Sequence, residues 1–127
     1  MEKLGNLTNL SLCYCKKITD NGVYFLKNIS ELNLKGCHRI TDKSVKILSN
    51  VQKLNIAECR YVTDESICKL KKLHTLCIDG CTEITNNSVY FLTDCHLVSI
   101  VGCHKITLQR ENIVYDRSYP WNDNLFR

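Results

Sequence analysis

Apolar residues return along this chain at a fixed interval of 22 residues. Cys15, Cys37, Cys59, Cys81 and Cys103 mark the period. Ahead of each cysteine, at offsets of eight, five and three, stand matched sets: Leu7, Leu10, Leu12; Ile29, Leu32, Leu34; Val51, Leu54, Ile56; Leu73, Leu76, Ile78; and Cys95, Val98, Ile100. Behind it, Ile18-Thr19-Asp20 recurs as Ile40-Thr41-Asp42, Val62-Thr63-Asp64, Ile84-Thr85-Asn86 and Ile106-Thr107. Further on, Val23 and Leu26 recur as Val45 and Leu48, Ile67 and Leu70, Val89 and Leu92. So many columns in one register mark stacked repeats, in which no unit buries its apolar face alone.

The spacing predicts two elements per repeat. The apolar pair at offsets five and three alternates like a strand, so both residues point inward and their neighbours outward. Stacked strands pair into a parallel sheet, one per repeat. The Val/Leu pair three residues apart fits one face of a short helical or 3₁₀ segment on the return path, with room for about two turns at most. Asp20, Asp42, Asp64 and Asn86 fall just before those segments, where a side-chain oxygen can cap free backbone N–H groups. The fold class is therefore an α/β solenoid: a horseshoe of five 22-residue repeats over residues 1–107, with a parallel sheet on the concave face and short helices on the convex face. Residues 108–127 leave the pattern, with Leu108 in place of the expected acid and an aperiodic aromatic run of Tyr115, Tyr119-Pro120-Trp121 and Phe126. They are expected to lie over repeat five as a cap, the alternative being an exposed peptide that docks elsewhere.

The block L-x-x-L-x-L-x-x-C-x-x-I-T-D-x-x-V-x-x-L resembles the cysteine-containing leucine-rich repeat of the F-box leucine-rich proteins and their relatives. No F-box is visible within these 127 residues. The family's usual repeat is a few residues longer, so a shorter convex segment is expected here. The resemblance implies a protein-binding array without catalysis, serving as a substrate-recognition part of a ubiquitin-ligase system.

Nine cysteines raise the question of chemistry. A buried thiol is a small apolar group with a weak S–H donor, and a column of them can satisfy backbone carbonyls where each repeat turns. Free thiols are favoured over disulfides in a chain with no secretory signal. Cys13-x-Cys15, Cys37-His38, Cys95-His96 and Cys103-His104 are zinc-type ligands, but successive pairs stand a full repeat apart and do not converge. Cys68, Cys77 and Cys13 are expected as incidental exposed thiols. No cofactor or metal is expected. No phosphate loop, nucleophile elbow or His-Glu-x-x-His helix is present.

The remaining residues carry the binding expectation. Outward concave positions include Glu31, Lys53, Asn33, Asn55, Lys35 and Asp79, mostly small and polar. The dipeptide after each ladder cysteine is more distinctive: Lys16-Lys17, His38-Arg39, Arg60-Tyr61, Thr82-Glu83 and His104-Lys105. Stacked, these make a basic rim interrupted by Glu83 and expected to hold most of the excess positive charge, within a net charge of +4. Such a rim suits a protein partner with an acidic segment. Nucleic acid is not expected, because no aromatic row interleaves with that charge. No membrane partner is expected, since no apolar run approaches the roughly 20 residues that cross a bilayer. The expected location is the cytoplasm, or the nucleus. Near the N-terminus, Leu7, Leu10 and Leu12 are expected to sit at an open edge, covered by an upstream segment, a partner or a second copy. Self-association through that end, in a structural scaffold, is the alternative function.

Overall fold

The computed structural model describes residues 7–108 and 110–114. Six strands pair in chain order into one parallel sheet: β1 (Asn9–Ser11), β2 (Glu31–Asn33), β3 (Lys53–Asn55), β4 (Thr75–Cys77), β5 (Leu97–Ser99) and β6 (Ile113–Val114). From β1 to β5 the register follows the 22-residue period, with Leu10, Leu32, Leu54, Leu76 and Val98 side by side. The return path of each of the first four repeats opens with a short helix: α1 (Asp20–Val23), α2 (Asp42–Val45), α3 (Asp64–Ile67) and α4 (Asn86–Phe91), with a 3₁₀ turn at Tyr24–Leu26 after α1. These fit the one-to-two-turn room that the short period leaves.

The core is the set of apolar columns. Leu32, Leu54 and Leu76 are fully buried from the strands, and Val45 and Leu48 from a return path. Burying such a side chain contributes about 1.5–3 kcal/mol, and each is covered by the repeats on either side.

The sheet does not stop at residue 107. Val98 of β5 pairs with Ile113 of β6, fifteen residues on in place of 22. Asn112 donates its side-chain amide to the carbonyls of Leu92 (3.3 Å) and Cys95 (2.6 Å), closing backbone groups that a full return helix would cover. Ile113 is buried against the core. Part of the covering role expected of a cap thus falls to a strand. The aromatic run beyond it, Tyr115 to Phe126, lies outside the described residues.

Two side-chain ladders tie the repeats together. The ladder thiols each donate to a carbonyl of the preceding repeat: Cys37 to Leu12 (3.1 Å), Cys59 to Leu34 (3.3 Å), Cys81 to Ile56 (3.1 Å) and Cys103 to Ile78 (2.9 Å). Burial pushes the Cys59 thiol up to about 12 and those of Cys37 and Cys103 to about 11, so they stay protonated donors at neutral pH. Cys15 is the exposed member of the column.

The aspartates run the other way, and not as caps. The N-cap is the threonine: Thr41, Thr63 and Thr85 accept the N–H of Lys43, Glu65 and Asn87 on their side-chain oxygens. The threonine is extended and fills the capping position, which leaves the aspartate one residue inside the helix with its carboxylate free to reach the following repeat. Asp42 accepts from the Thr63 N–H (2.9 Å), the Thr63 hydroxyl (2.6 Å) and the Ser66 hydroxyl (2.6 Å). Asp20 and Asp64 hold the same three groups of the next repeat. Asn86 continues the column to the N–H groups of Thr107 and Leu108.

Candidate docking surface

Each ladder cysteine sits between two turns. In the first, the Cys37 N–H bonds the Leu34 carbonyl at 3.0 Å, and the residue before the cysteine has positive φ. That residue is Tyr14, Gly36, Glu58, Gly80 or Gly102, repeat by repeat. Glycine suits this conformation; Tyr14 and Glu58 adopt it against their own preference. In the second turn the cysteine carbonyl accepts the N–H three residues on, as in Cys37 to Ile40 (3.2 Å), Cys59 to Val62 (3.2 Å) and Cys103 to Ile106 (3.1 Å). The rim dipeptides are the two central residues of this second turn. Their flanks are buried, as Cys37 and Ile40 are, so His38 and Arg39 are forced outward.

The rim turns also stack directly. Sheet-like hydrogen bonding persists beyond the strands to the residue before each cysteine: Tyr14 N–H to the Lys35 carbonyl (2.7 Å), Gly36 to Ala57 (2.9 Å), Glu58 to Asp79 (2.7 Å) and Gly80 to Val101 (2.8 Å). On the far side, Thr41 and Tyr61 form a parallel bridge. The structure therefore brings Lys17, His38, Arg39, Arg60 and Tyr61 onto consecutive turns of one edge, all at least partly exposed. His104 and Lys105 lie on the same edge, where Lys105 is bound to Glu83 at 3.1 Å. Among the described residues, no hydrogen bond or ion pair holds Lys17, Arg39 or Arg60.

The concave face is different. Glu31 and Lys53 neutralise each other at 3.5 Å, and Asn9 donates to Glu31 at 3.0 Å. Lys35 lies over the Tyr14 ring, 5.8 Å from its centre. Asn33 and Asn55, expected as outward contact residues, are 2% and 1% exposed. Their side-chain oxygens accept the N–H two residues on, of Lys35 and Ala57, both at 3.0 Å. Adjacent columns on a concave surface crowd one another, so outward alternation does not guarantee access. Asp79 is half-buried and takes the same part for the next repeat, accepting from the Ser99 hydroxyl (2.5 Å) and the Val101 N–H (2.9 Å). Cys77, expected exposed, is buried where the second and third repeats carry asparagine, and burial, with the nearby Asp79 charge, pushes its thiol up to about 12.

Against Asp20, Asp42, Asp64, Glu65 and Asp94, the return paths carry Lys27, Lys43, Lys46, Lys69, Lys71 and Lys72, close to balance. Exposed aromatic pairs stand beside them: Tyr24 and Phe25, with Lys27 5.1 Å from the Tyr24 ring centre, and Tyr90 and Phe91, with Lys71 5.8 Å from that of Phe91. Their signal in the sequence is the Tyr-Phe-Leu triplet at 24–26 and again at 90–92. Among the described residues, no group of three or more His, Cys, Asp or Glu side chains is arranged to hold a metal, and no helix is long and apolar enough to cross a membrane.

Comparison with known proteins agrees with this architecture. A family model described as a leucine-rich repeat matches residues 25–49. No curated protein matches the chain in sequence. Among solved structures, a chain in the crystal structure of the Rad7 and Elc1 complex in yeast is similar, with a TM-score of 0.72 at 18% identity. The likeness covers 88% of this chain and 33% of that one, so the present chain spans a minor part of its neighbour's length. With one parallel strand per 22-residue period, the chain has the fold of a leucine-rich-repeat solenoid.

Proposed function

We propose that this solenoid is a non-catalytic protein-interaction module that docks an acidic segment of a partner along its basic rim, with the concave face beside it as a secondary contact. The observation that carries the reading is the difference in engagement. Glu31, Lys53, Asn33, Asn55 and Asp79 on the concave face are bound within the array, whereas Lys17, Arg39 and Arg60 stand on rigid turns at the surface with no internal partner among the described residues. Turns held by the stacked repeats lose little backbone freedom on binding, so the entropic cost of docking falls on the side chains alone. All nine cysteines are free thiols, in keeping with a reducing compartment such as the cytoplasm or nucleus. The resemblance to F-box leucine-rich proteins supports the more particular role of presenting substrates to a ubiquitin-ligase system.

A second reading has its own observation. Leu7 is 37% exposed, and Leu10, Leu12 and Ile18 are only partly buried beside β1, an apolar edge that suits pairing with a second copy. The two readings separate in one experiment. Partner capture by the wild-type chain is compared with capture by the triple variant Lys17→Glu, Arg39→Glu, Arg60→Glu, with sedimentation of both. The rim reading expects capture lost and sedimentation unchanged. Retained capture sinks it, and concentration-dependent association that survives the triple change supports the scaffold.

A further inference from the structure

We infer that the rim accepts its acidic partner as an α-helix lying across the repeats, with carboxylates one helical turn apart. This deepens the rim reading and rests on it. The reason is one of pitch. Side chains in the same column of adjacent repeats are separated by the stacking distance of the solenoid. His74 and His96, one repeat apart and stacked, have ring centres 5.2 Å apart. At the rim itself, the continued backbone pairing up to Tyr14, Gly36, Glu58 and Gly80 holds the turns to the strand spacing of about 4.7–4.9 Å.

An α-helix repeats a face about every 5.4 Å, once per turn. An extended peptide returns a side chain to the same face only every second residue, about 6.6–6.8 Å on. Across the two steps from the first to the third repeat, a helix drifts out of phase by about 1 Å, and an extended chain by about 4 Å. A drift of the first size is absorbed by a lysine or arginine arm. One of the second size moves a carboxylate more than half of the way toward the next position.

The rim also sets the length and polarity of the occupant. Two rows of side chains face it, Lys16, His38 and Arg60 in one, Lys17, Arg39 and Tyr61 in the other. Beyond them, Glu83 puts a negative charge at the fourth turn and is held there by Lys105 at 3.1 Å. A helix with acids on one face over two to three turns matches this order. Tyr61, 66% exposed, offers an aromatic face at the point where the charge changes sign.

The test uses the full chain and synthetic fluorescent peptides of identical composition: one with glutamates on a single helical face, one with them scattered around the helix, and one striped but interrupted by a central proline. A thymine-rich single-stranded DNA serves as a fourth probe. Anisotropy titrations at low salt measure affinity, and circular dichroism measures helix formation on binding. The striped peptide is expected to bind at least about tenfold more tightly than the other three, gaining helicity, and to lose that advantage against the Lys17→Glu, Arg39→Glu, Arg60→Glu variant. Equal binding of the striped, scattered and proline-broken peptides overturns the helix and leaves the rim as a docking edge read by charge alone. Tighter binding of the DNA overturns it in favour of nucleic acid. Failure of every peptide, with partner capture untouched by the triple variant, sinks the rim itself.

Discussion

Two charged columns run the length of this solenoid, and they behave in opposite ways. The aspartate column, Asp20, Asp42 and Asp64, is half-buried and fully engaged, each carboxylate accepting three hydrogen bonds from the next repeat. The rim column lies at the surface and, at Lys17, Arg39 and Arg60, engages nothing internal among the described residues. Both occur once per period and both are obvious in sequence. Periodicity therefore marks a column as fixed in space without saying whether it faces the protein or a partner. Satisfaction of its polar groups says that.

The comparison can be broken most severely at Asp42. Asp42→Ala removes three acceptor contacts and leaves the hydroxyl of Ser66, fully buried, without its carboxylate. A loss of about 3 kcal/mol is expected, because bonds to charged groups are worth more than neutral ones and the buried Ser66 hydroxyl keeps only a long 3.4 Å bond to the Thr63 carbonyl. Urea unfolding measures it, and a loss no larger than that of a rim substitution would erase the distinction.

A backbone change between the two columns comes next. Gly36→Ala places a Cβ on a residue at φ +74° and drives it into the Tyr14 ring, whereas Gly80→Ala at φ +73° meets only ordinary contacts near Glu58. The second should cost about 1–2 kcal/mol from backbone conformation alone, and the first more, by the displacement of Tyr14 from under Lys35. Equal midpoint shifts in thermal unfolding would show that the ring moves without penalty.

Acid sharpens the contrast further. Burial alone would raise the Asp20 and Asp64 carboxyls, but the combined hydrogen bonds from Ser44 and Thr41, and from Ser88 and Thr85, outweigh it and hold both below their ordinary 3.8. A carboxyl lowered by folding stabilises the folded state fully above its unfolded value, and that contribution fades as pH falls through the folded value. Stability should therefore decline below about pH 3.8, and the decline should be shallower in an Asp64→Asn variant. An unchanged acid limb in that variant would remove Asp64 from the balance.

The smallest expected effect lies on the rim. Arg39→Glu alone should alter stability by no more than about 0.5 kcal/mol, as exposed substitutions without partners do. The same change belongs to the set expected to remove partner binding. A stability loss comparable to that of Asp42→Ala would mean that Arg39 has an internal role.

Much of this architecture is legible in the amino-acid sequence alone. The strand columns, the parallel register, the short return path and the thiol donors all follow from counting in steps of 22. The aspartates mislead because capping and inter-repeat bonding use the same residue types. Within one repeat, an acid before a helix reads as a cap. The signal that distinguishes the two is a second column: Ser44, Ser66 and Ser88 begin only in the second repeat, with Gly22 in the first. It becomes meaningful only when an acid is paired with a hydroxyl 24 residues away. Asn33 and Asn55 mislead for another reason. Strand alternation gives direction, and access depends on how closely neighbouring columns crowd. The strand at Ile113 is hidden because it leaves the period, and pattern counting finds only what repeats.

The opposed ladders have a consequence for how such a chain can change length. At each junction a carboxylate, or the Asn86 amide at the last, reaches forward and a thiol reaches backward, so every junction is clasped from both sides by residues that recur 22 apart. Insertion or loss of a whole unit restores both clasps with new partners. Removal of a few residues misaligns both at once and exposes their buried groups. The architecture is thus tolerant of duplication and intolerant of small deletions, so natural length variants within residues 20–103 should differ by whole units.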